Sequence, residues 1–301
     1  MLSRRSPSLW CSFGALLVSL SAGCSADTKG DHAQPGAAAS GNGDGPVPSS
    51  AGAPGGGTTP DATCSSTTPD VGASILRRLS GLEYQLTVQD LFQLTAPPSL
   101  EGLPADTEKD GFKVFAELQT VSAQHLRSYL AKAQELGAAL MADSARRTRV
   151  LGCEPSASEC LKSFVTRFGR LAYRRALAAD EIDSLITRAE RDALDVNDRF
   201  QFAIEVLLTA PDFLYRAELG ATPEGLSTLA PAELAAKLSF AVWGRAPSAE
   251  LLDQAEQGAL GTAEGVSKTV DRLLADDRAQ GFYAGFFRQW LGYDAVRAPT
   301  T

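Results

Sequence analysis

The segment RFQFAIEVLLTAP, residues 199–211, decides the fold. Seven of the nine residues at 200–208 are apolar, and in a helix they would cover nearly every side. A helix that is apolar all round belongs in the core of a protein. Pro211 cannot continue a helix, so it ends the segment. We therefore expect this helix to be the central and most buried element.

Helical patterns fill the chain from Ser80 onward. Ser80 and Glu83 have the spacing of a capping box, which starts a helix. Apolar residues then recur at intervals of three and four, as on one face of a helix, and no segment alternates convincingly enough to predict a sheet. The prediction is an all-α fold, a multi-helix array. Its apolar stripes lie at 84–92, 126–141, 161–172 and 182–189.

The last third of the chain carries residues typical of helix boundaries. Pro is favoured in the first turn of a helix and Gly just beyond its end, whereas Ser and Thr cap the N-terminus. These preferences predict helices bounded by Pro231 and Gly244, by Ser248 and Gly258, and by Thr262 and Leu274. A final helix ends at Gly292, and one of its faces is formed by Phe282, Tyr283, Phe286, Phe287, Trp290 and Leu291.

The N-terminus has the three parts of a secretory signal peptide. Arg4 and Arg5 precede an apolar run at 9–20, which is shorter than the ~20 residues that a bilayer-spanning helix needs. The ending Ala-Gly-Cys resembles the lipobox of bacterial lipoproteins, in which the cysteine becomes the acylated first residue. We predict a signal peptide at 1–23 and lipidation of Cys24, placing the protein in the bacterial cell envelope as an outer-membrane or surface lipoprotein. Cleavage after Ala26, giving a secreted or periplasmic protein, is the alternative.

Residues 24–70 form a Gly-, Pro- and Ser-rich linker. Val47 is the one branched aliphatic residue between Ser25 and Asp70. The same stretch holds 9 of the 27 Gly and 6 of the 16 Pro. Such a composition buries too little apolar surface to order a chain, which predicts a disordered tether. We divide the rest into three helical modules, at 71–148, 149–222 and 223–301, the last of them truncated.

Cys153 and Cys160 enclose a short polar loop just before a predicted helix. In an exported protein such a pair is expected to form a disulfide. Cys64 is then the odd cysteine, and it falls in the linker.

Composition and missing motifs limit the chemistry. A net charge of −8 opposes binding of nucleic acid. Motifs for covalent haem attachment, zinc proteases, phosphate-binding loops and serine hydrolases are absent from the sequence, so we predict no catalytic residue, no metal and no cofactor. Of the two His, His125 is expected to face away from the stripe at 126–141 and to be a solvated surface residue.

Four segments together carry a family resemblance: RRLSGLEYQLTVQDL at 77–91, LAYRRAL at 171–177, APDFLYRAE at 210–218 and ELAAKLSFAVWG at 233–244. In that order they resemble exported planctomycete and myxobacterial proteins built from planctomycete-specific domains of unknown function. The resemblance covers residues 75–292 and implies architecture and an exported location, but no established reaction. Family members continue beyond the last helix, so the resemblance also implies a short member or a fragment.

One polar cluster is a candidate ligand or ion-pair site. Arginines beside carboxylates either clamp the fold internally or bind an anion. The members of the cluster are Tyr173, Arg174, Arg175, Asp212, Tyr215, Arg216 and Glu218. Glu83 and Tyr84 are interpreted instead as a helix cap and a buried aromatic.

Three functional hypotheses follow. The first is a non-catalytic interaction module that binds an envelope protein partner and is held at the membrane by its N-terminal lipid. The second is an accessory protein that binds polysaccharide or assists its degradation, with Trp243 and Trp290 stacking on sugar rings. The third, and least favoured, is a hydrolase or a component of a periplasmic redox system, since some relatives carry c-type cytochrome modules.

Overall fold

The structure is a computed structural model that describes residues 76–113, 115–192, 195–220 and 227–292. All of these residues belong to one compact unit, Ser66–Thr301. Three predictions concern residues outside the described ranges. They are the signal peptide at 1–23, the lipidation site Cys24 and the linker at 24–70.

The described residues confirm the predicted all-α class, since they form eleven α-helices, one 3₁₀ turn and a pair of two-residue strands. In chain order the elements are β1 Arg77–Arg78, α1 Gly81–Leu91, a 3₁₀ turn at Ala116–Leu118, α2 Ala123–Ala142, α3 Ser144–Leu151, α4 Cys160–Tyr173, α5 Ala179–Asp192, α6 Val196–Thr209, α7 Pro211–Leu214, β2 Tyr215–Arg216, α8 Pro231–Trp243, α9 Ala249–Glu256, α10 Ala263–Leu274 and α11 Asp277–Leu291.

The segment at 199–211 forms most of α6, and α6 is central as predicted. It packs against α2, α4, α5 and α7. Pro211 does not extend it, because the backbone turns to an extended conformation at Ala210 and a new short helix begins. Five α6 side chains are at most 1% exposed, namely Phe200, Ala203, Ile204, Leu207 and Leu208.

The two short strands are an addition to the predicted helical fold. Arg77 pairs with Arg216 and Arg78 pairs with Tyr215 in an antiparallel ladder. A strand of two residues has no periodicity that a sequence pattern could reveal. The ladder brings the residues just before α1 beside those just after α7, although they are far apart in the chain.

The N-terminal turns of α2 differ from the prediction. Leu126 and Leu130 are 48% and 39% exposed, whereas Tyr129 is 2% exposed, so the predicted stripe was wrong at its start. His125 was also wrongly expected to face away, since it is half-buried and its ring lies 6.5 Å from that of Tyr129. Its Nδ1 accepts a hydrogen bond from the Ser122 N–H at 3.3 Å, and partial burial lowers the pKa of the imidazole.

The predicted caps of α1 and α8 are formed. Ser80 Oγ accepts a hydrogen bond from the Glu83 N–H at 3.3 Å, and Glu83 Oε2 accepts one from the Ser80 N–H at 2.8 Å. Pro231 begins α8, and Gly244 ends it in the left-handed region at φ 64°. A side chain at Gly244 would also collide with the ring of Phe282, so both the conformation and the packing require glycine there.

Two cores of buried apolar side chains hold the described residues together. The larger runs from α1 to α7 and includes Phe240 of α8, and the smaller joins α8, α9, α10 and α11. Ser248 and Thr262 cap α9 and α10 as predicted. Trp243 belongs to the smaller core: it is 4% exposed, and its Nε1 donates to the Leu273 carbonyl at 2.9 Å.

Cys153 and Cys160 form the predicted disulfide. Cys160 is the first residue of α4 and is 2% exposed, so the bond fastens the loop before α4 to the larger core. Protein disulfides persist mainly in oxidising compartments outside the cytosol.

Candidate functional site

A cavity of about 800 Å³ opens on the described surface and is large enough to hold a ligand. Its walls are the N-terminal end of α1, the loop residues 100–106, one side of α8 and one side of α11. A volume of this size lies within the usual range of ligand sites in proteins. We call it the charged cleft, because six lining cations meet three lining carboxylates: Arg77, Arg78, Lys113, Arg216, Lys237 and Arg288 against Glu83, Asp106 and Glu218.

Arg78 and Asp106 form a buried ion pair in one wall of the charged cleft. Arg78 Nη2 lies 2.9 Å from Asp106 Oδ1, and the two side chains are 3% and 9% exposed. Arg78 Nη1 also donates to the hydroxyl of Tyr129 at 2.8 Å. The second oxygen, Asp106 Oδ2, accepts from the N–H of Gly81 at 2.6 Å. Gly81 is the first residue of α1, so the carboxylate also benefits from the positive end of the helix dipole.

Glu83 and Arg216 form a second ion pair across the charged cleft. Arg216 Nη1 lies 3.0 Å from Glu83 Oε1, with the side chains 11% and 8% exposed. The guanidinium lies 4.5 Å from the ring centroid of Phe240, a cation–π geometry. Burial lowers the pKa of Arg216, and the carboxylate of Glu83 opposes that effect. Glu83 thus joins the cap of α1 to β2.

The charged cleft is electropositive within an acidic protein. Six lining cations minus three lining carboxylates leave a formal charge of +3, whereas the whole chain carries −8. Glu218 is paired, since it accepts from Lys237 Nζ at 2.6 Å. A cleft of one sign with low-dielectric walls concentrates the field and attracts ligands of the opposite sign.

The charged cleft is lined by several polar groups that already bond within the protein. Its lining includes no Cys or His, and the hydroxyl of Ser80 is used in the capping box. In the described ranges, no three His, Cys, Asp or Glu side chains are grouped to hold a metal ion.

Arg174, a member of the predicted cluster, is a buried structural residue. It ends α4 in the left-handed region at φ 57° and is 6% exposed. Its Nη1 donates to the carbonyl of Phe213 at 3.1 Å, and its Nη2 donates to the carbonyls of Asp212 and Tyr215, the latter at 2.7 Å. Burial lowers the pKa of Arg174 to about 10, so it remains charged at neutral pH. The side chain clamps α7 and β2 onto the end of α4.

Arg175 lies in a separate, more exposed network. Its two Nη atoms donate to both oxygens of Glu181 at 2.8 and 2.9 Å, and Nη2 also donates to Asp212 Oδ1 at 2.6 Å. The guanidinium lies 5.4 Å from the ring centroid of Tyr173, whose pKa is raised to about 12 by burial. Of the seven predicted residues, Arg216 and Glu218 line the charged cleft and the other five do not.

Glu181 gives a testable dependence of stability on pH. Its bond to Arg175 lowers the pKa of Glu181 to about 2, below its value in an unfolded chain. Between those two values the unfolded state binds the extra proton, so the stability this pair provides is lost as pH falls from about 4.5 to about 2. In the Glu181→Gln variant the free energy of unfolding should therefore fall less steeply with pH over that window than in the wild type. Urea denaturation at successive pH values measures it.

The control for this prediction is Asp180→Asn, one residue away in α5. Asp180 is exposed and forms no ion pair with any residue that the structure describes. If the two variants lose stability in acid equally, the contribution assigned to Glu181 is wrong.

Sequence reasoning missed most of the charged cleft. Arg77 and Arg78 fell within a quoted segment of the family resemblance, but nothing in it marked them as site residues. Asp106 and Lys113 lie in the long segment between α1 and α2, which has no helical pattern. Lys237 likewise fell within a segment of the family resemblance, at 233–244, without being marked as a site residue. Only the fold brings these residues to one cleft.

α11 carries an exposed apolar surface beside the charged cleft. We call it the aromatic face, and its members are Tyr283, Phe286, Phe287, Trp290 and Leu291, which are 37%, 42%, 45%, 60% and 49% exposed. Trp290 lies 6.0 Å from the rings of both Phe286 and Phe287, centroid to centroid, so the aromatic members form one patch. No helix in the described ranges is long and apolar enough to cross a membrane.

The fold and the cleft define the class of protein: an array of helical modules with an electropositive cleft and an exposed aromatic helix. Three segments match family models, each described as a protein of unknown function. They are PSD3 (DUF1587) at 77–142, PSD5 (DUF1595) at 160–218 and PSD4 (DUF1592) at 229–300. Three planctomycete-type domains of unknown function are therefore present. No curated protein matches the chain, and no solved structure does.

Proposed function

We propose that this protein is an exported, lipid-anchored, non-catalytic component of the cell envelope, which binds a partner protein through the aromatic face of α11. The observation that carries the proposal is the exposure of five large apolar side chains on one helix, from 37% at Tyr283 to 60% at Trp290. Contiguous exposed apolar patches on soluble proteins typically mark interaction sites. Aromatic residues, Trp and Tyr above all, are also enriched among those that dominate binding energy at protein interfaces.

The aromatic face is presented on a supported helix. Ala279, near the start of α11, is 2% exposed, and the guanidinium of Arg278 lies 3.5 Å from the ring centroid of Trp243. Phe282 packs against Gly244 at the end of α8. Because the first turns of α11 are held in this way, the later turns are already helical. A partner that binds their apolar side chains therefore loses little free energy in ordering the helix.

The polar residues support a non-catalytic role. Arg174 serves backbone carbonyls, Arg175 pairs with Glu181, and Arg216 pairs with Glu83. The candidate cluster is thus divided into separate internal contacts instead of converging on one open pocket. Trp243 is buried, which removes one of the two stacking surfaces on which a polysaccharide-binding role depended.

Export is supported by the sequence of the first 24 residues and by the disulfide between Cys153 and Cys160. The lipid anchor rests on Cys24 alone. Cys24→Ala should shift the protein from the membrane fraction to the soluble fraction, while an unchanged distribution would refute the anchor.

The partner site is tested by photo-crosslinking in the native cell. A photoreactive phenylalanine analogue at position 290 should give an adduct of one defined mass with an exported protein, and the double substitution of Phe287 and Tyr283 to Ser should abolish it. The matched control places the analogue at Lys268, which is 75% exposed on α10 and is not part of the aromatic face. Adducts of the same masses from positions 268 and 290, or no adduct from position 290, would contradict the proposed function.

A further inference from the structure

We propose that the charged cleft binds a peptide segment that carries acidic residues with leucines nearby. The segment belongs to the same partner protein that, in the proposed function, docks on the aromatic face. The inference deepens that function by naming the chemistry of the bound segment. It is argued from four observations: the unpaired cations, an internal carboxylate already bound there, the apolar lining, and the position of α11.

Two cations of the charged cleft are available to a ligand. Neither Arg77 nor Lys113 forms an ion pair with any described residue, whereas Arg78, Arg216 and Lys237 are paired with cleft carboxylates. The Nε of Arg78 is buried and has no hydrogen-bond partner among the described atoms. A carboxylate entering the cleft would therefore meet two cations that no described carboxylate neutralises.

The protein itself shows that the wall of this cleft binds a carboxylate presented by a peptide. Asp106 bonds to Arg78 at 2.9 Å and to the N–H of Gly81 at 2.6 Å. Leu100 and Leu103, from the same loop, line the cleft beside it. An acidic side chain with leucines a few residues away is thus accommodated in this environment, and a segment of similar chemistry is the favoured occupant.

Apolar lining favours a peptide over an acidic glycan. Leu82, Phe240 and Phe282 line the cleft together with the cations. Side chains of a peptide can be both acidic and apolar, whereas an acidic polysaccharide offers hydroxyls that this lining would leave partly unpaired. Tyr84, which could have stacked on a sugar ring, is only 1% exposed.

α11 joins the two surfaces. Gly285 and Gln289 line the charged cleft, while Phe286 and Trp290, each one residue further along the helix, belong to the aromatic face. A partner seated on the aromatic face therefore has the cleft within reach of an adjoining segment. Charge complementarity favours an acidic segment there and would also steer the encounter.

The glycines of α11 allow the cleft to be blocked with a matched control. A Cβ added at Gly285 or at Gly281 meets no atom within 4 Å. Gly285 lines the charged cleft and Gly281 does not. Gly285→Leu should therefore place a side chain in the cleft, whereas Gly281→Leu makes the same change one helical turn away and leaves the cleft open.

The test is selection of a displayed library of random 12-residue peptides on the full chain. Selected peptides should be enriched in Asp and Glu with Leu or Phe nearby, and their affinity should fall with added salt. Arg77→Gln combined with Lys113→Gln should weaken binding about tenfold, because it removes charge contacts from half-buried Arg77 and exposed Lys113. Gly285→Leu should abolish binding, and Gly281→Leu should leave it within about twofold of wild type.

Several results would overturn the inference. They are recovery of no peptides, enrichment without acidic residues, equal binding by the Gly285→Leu and Gly281→Leu variants, and tighter binding of polygalacturonate than of any selected peptide. The test is separate from that of the proposed function, because the Tyr283→Ser, Phe287→Ser double variant changes no residue that lines the cleft. No adduct from position 290 in the otherwise unchanged chain, with peptide binding retained, would reject the aromatic face alone. A specific adduct from position 290 with no acidic peptide recovered would reject the cleft alone.

Discussion

Arg174→Ala is expected to lower the free energy of unfolding by about 3–5 kcal/mol, a large part of the total stability of a typical domain. The side chain is 6% exposed and donates to the carbonyls of Asp212, Phe213 and Tyr215. Truncation removes all three donors at once from the junction of α4, α7 and β2. Alanine cannot replace them, and water has little access to the site. Denaturation in urea, followed by circular dichroism, measures the change.

The neighbouring arginine supplies the control. Arg175 is 40% exposed, and its partners Glu181 and Asp212 are 36% and 44% exposed. Ion pairs with this exposure contribute about 0–1 kcal/mol, so Arg175→Ala should have a small effect. If the two alanine variants are equally stable, the clamp assigned to Arg174 does not exist.

Glu83→Gln is expected to have the second large effect, lowering the free energy of unfolding by about 3 kcal/mol. The substitution nearly preserves the shape of the side chain but leaves Arg216, which is 11% exposed, without its closest carboxylate. It also weakens the capping box, because Glu83 Oε2 accepts from both the N–H and the hydroxyl of Ser80. Removing one partner of a buried ion pair lowers stability by far more than the intact pair contributes, because the remaining charge stays desolvated without its partner.

A double-mutant cycle tests this explanation. Glu83→Gln combined with Arg216→Met should recover part of the lost stability, because it removes the unpaired charge as well. Glu264→Gln provides the exposed control: its partner Lys268 is 75% exposed, and the change should cost under about 0.5 kcal/mol. Strictly additive effects at positions 83 and 216 would show that the two side chains do not interact.

Local rules predicted the helices well because helix formation is itself local. The Ser80–Glu83 cap, the Pro231 start and the Gly244 end each depend on residues within four positions of one another. The same rules misplaced Leu126 and Leu130 of α2. Periodicity identifies an apolar stripe, but it does not tell how far along the helix the neighbouring elements extend to cover it.

The candidate site was predicted only in part. The seven residues of the predicted cluster are divided in the structure, with only Arg216 and Glu218 lining the charged cleft, and their partners could not be inferred from the sequence. Arg174 bonds to backbone carbonyls, which carry no sequence signal. The partner of Arg216 is Glu83, 133 residues earlier in the chain.

The amino-acid sequence by itself determined the helical class, the central helix at 199–211, most helix ends and the pairing of Cys153 with Cys160. The helix ends and the disulfide depend on residues that are close in the chain, and the central position of α6 follows from a segment that is apolar on nearly every side. Only the tertiary structure decided that Arg77, Asp106, Arg216 and Lys237 meet in one cleft, and that the aromatic face of α11 remains exposed. The reason is physical: burial and long-range pairing depend on which surfaces meet after the chain folds, and a one-dimensional pattern does not contain that information.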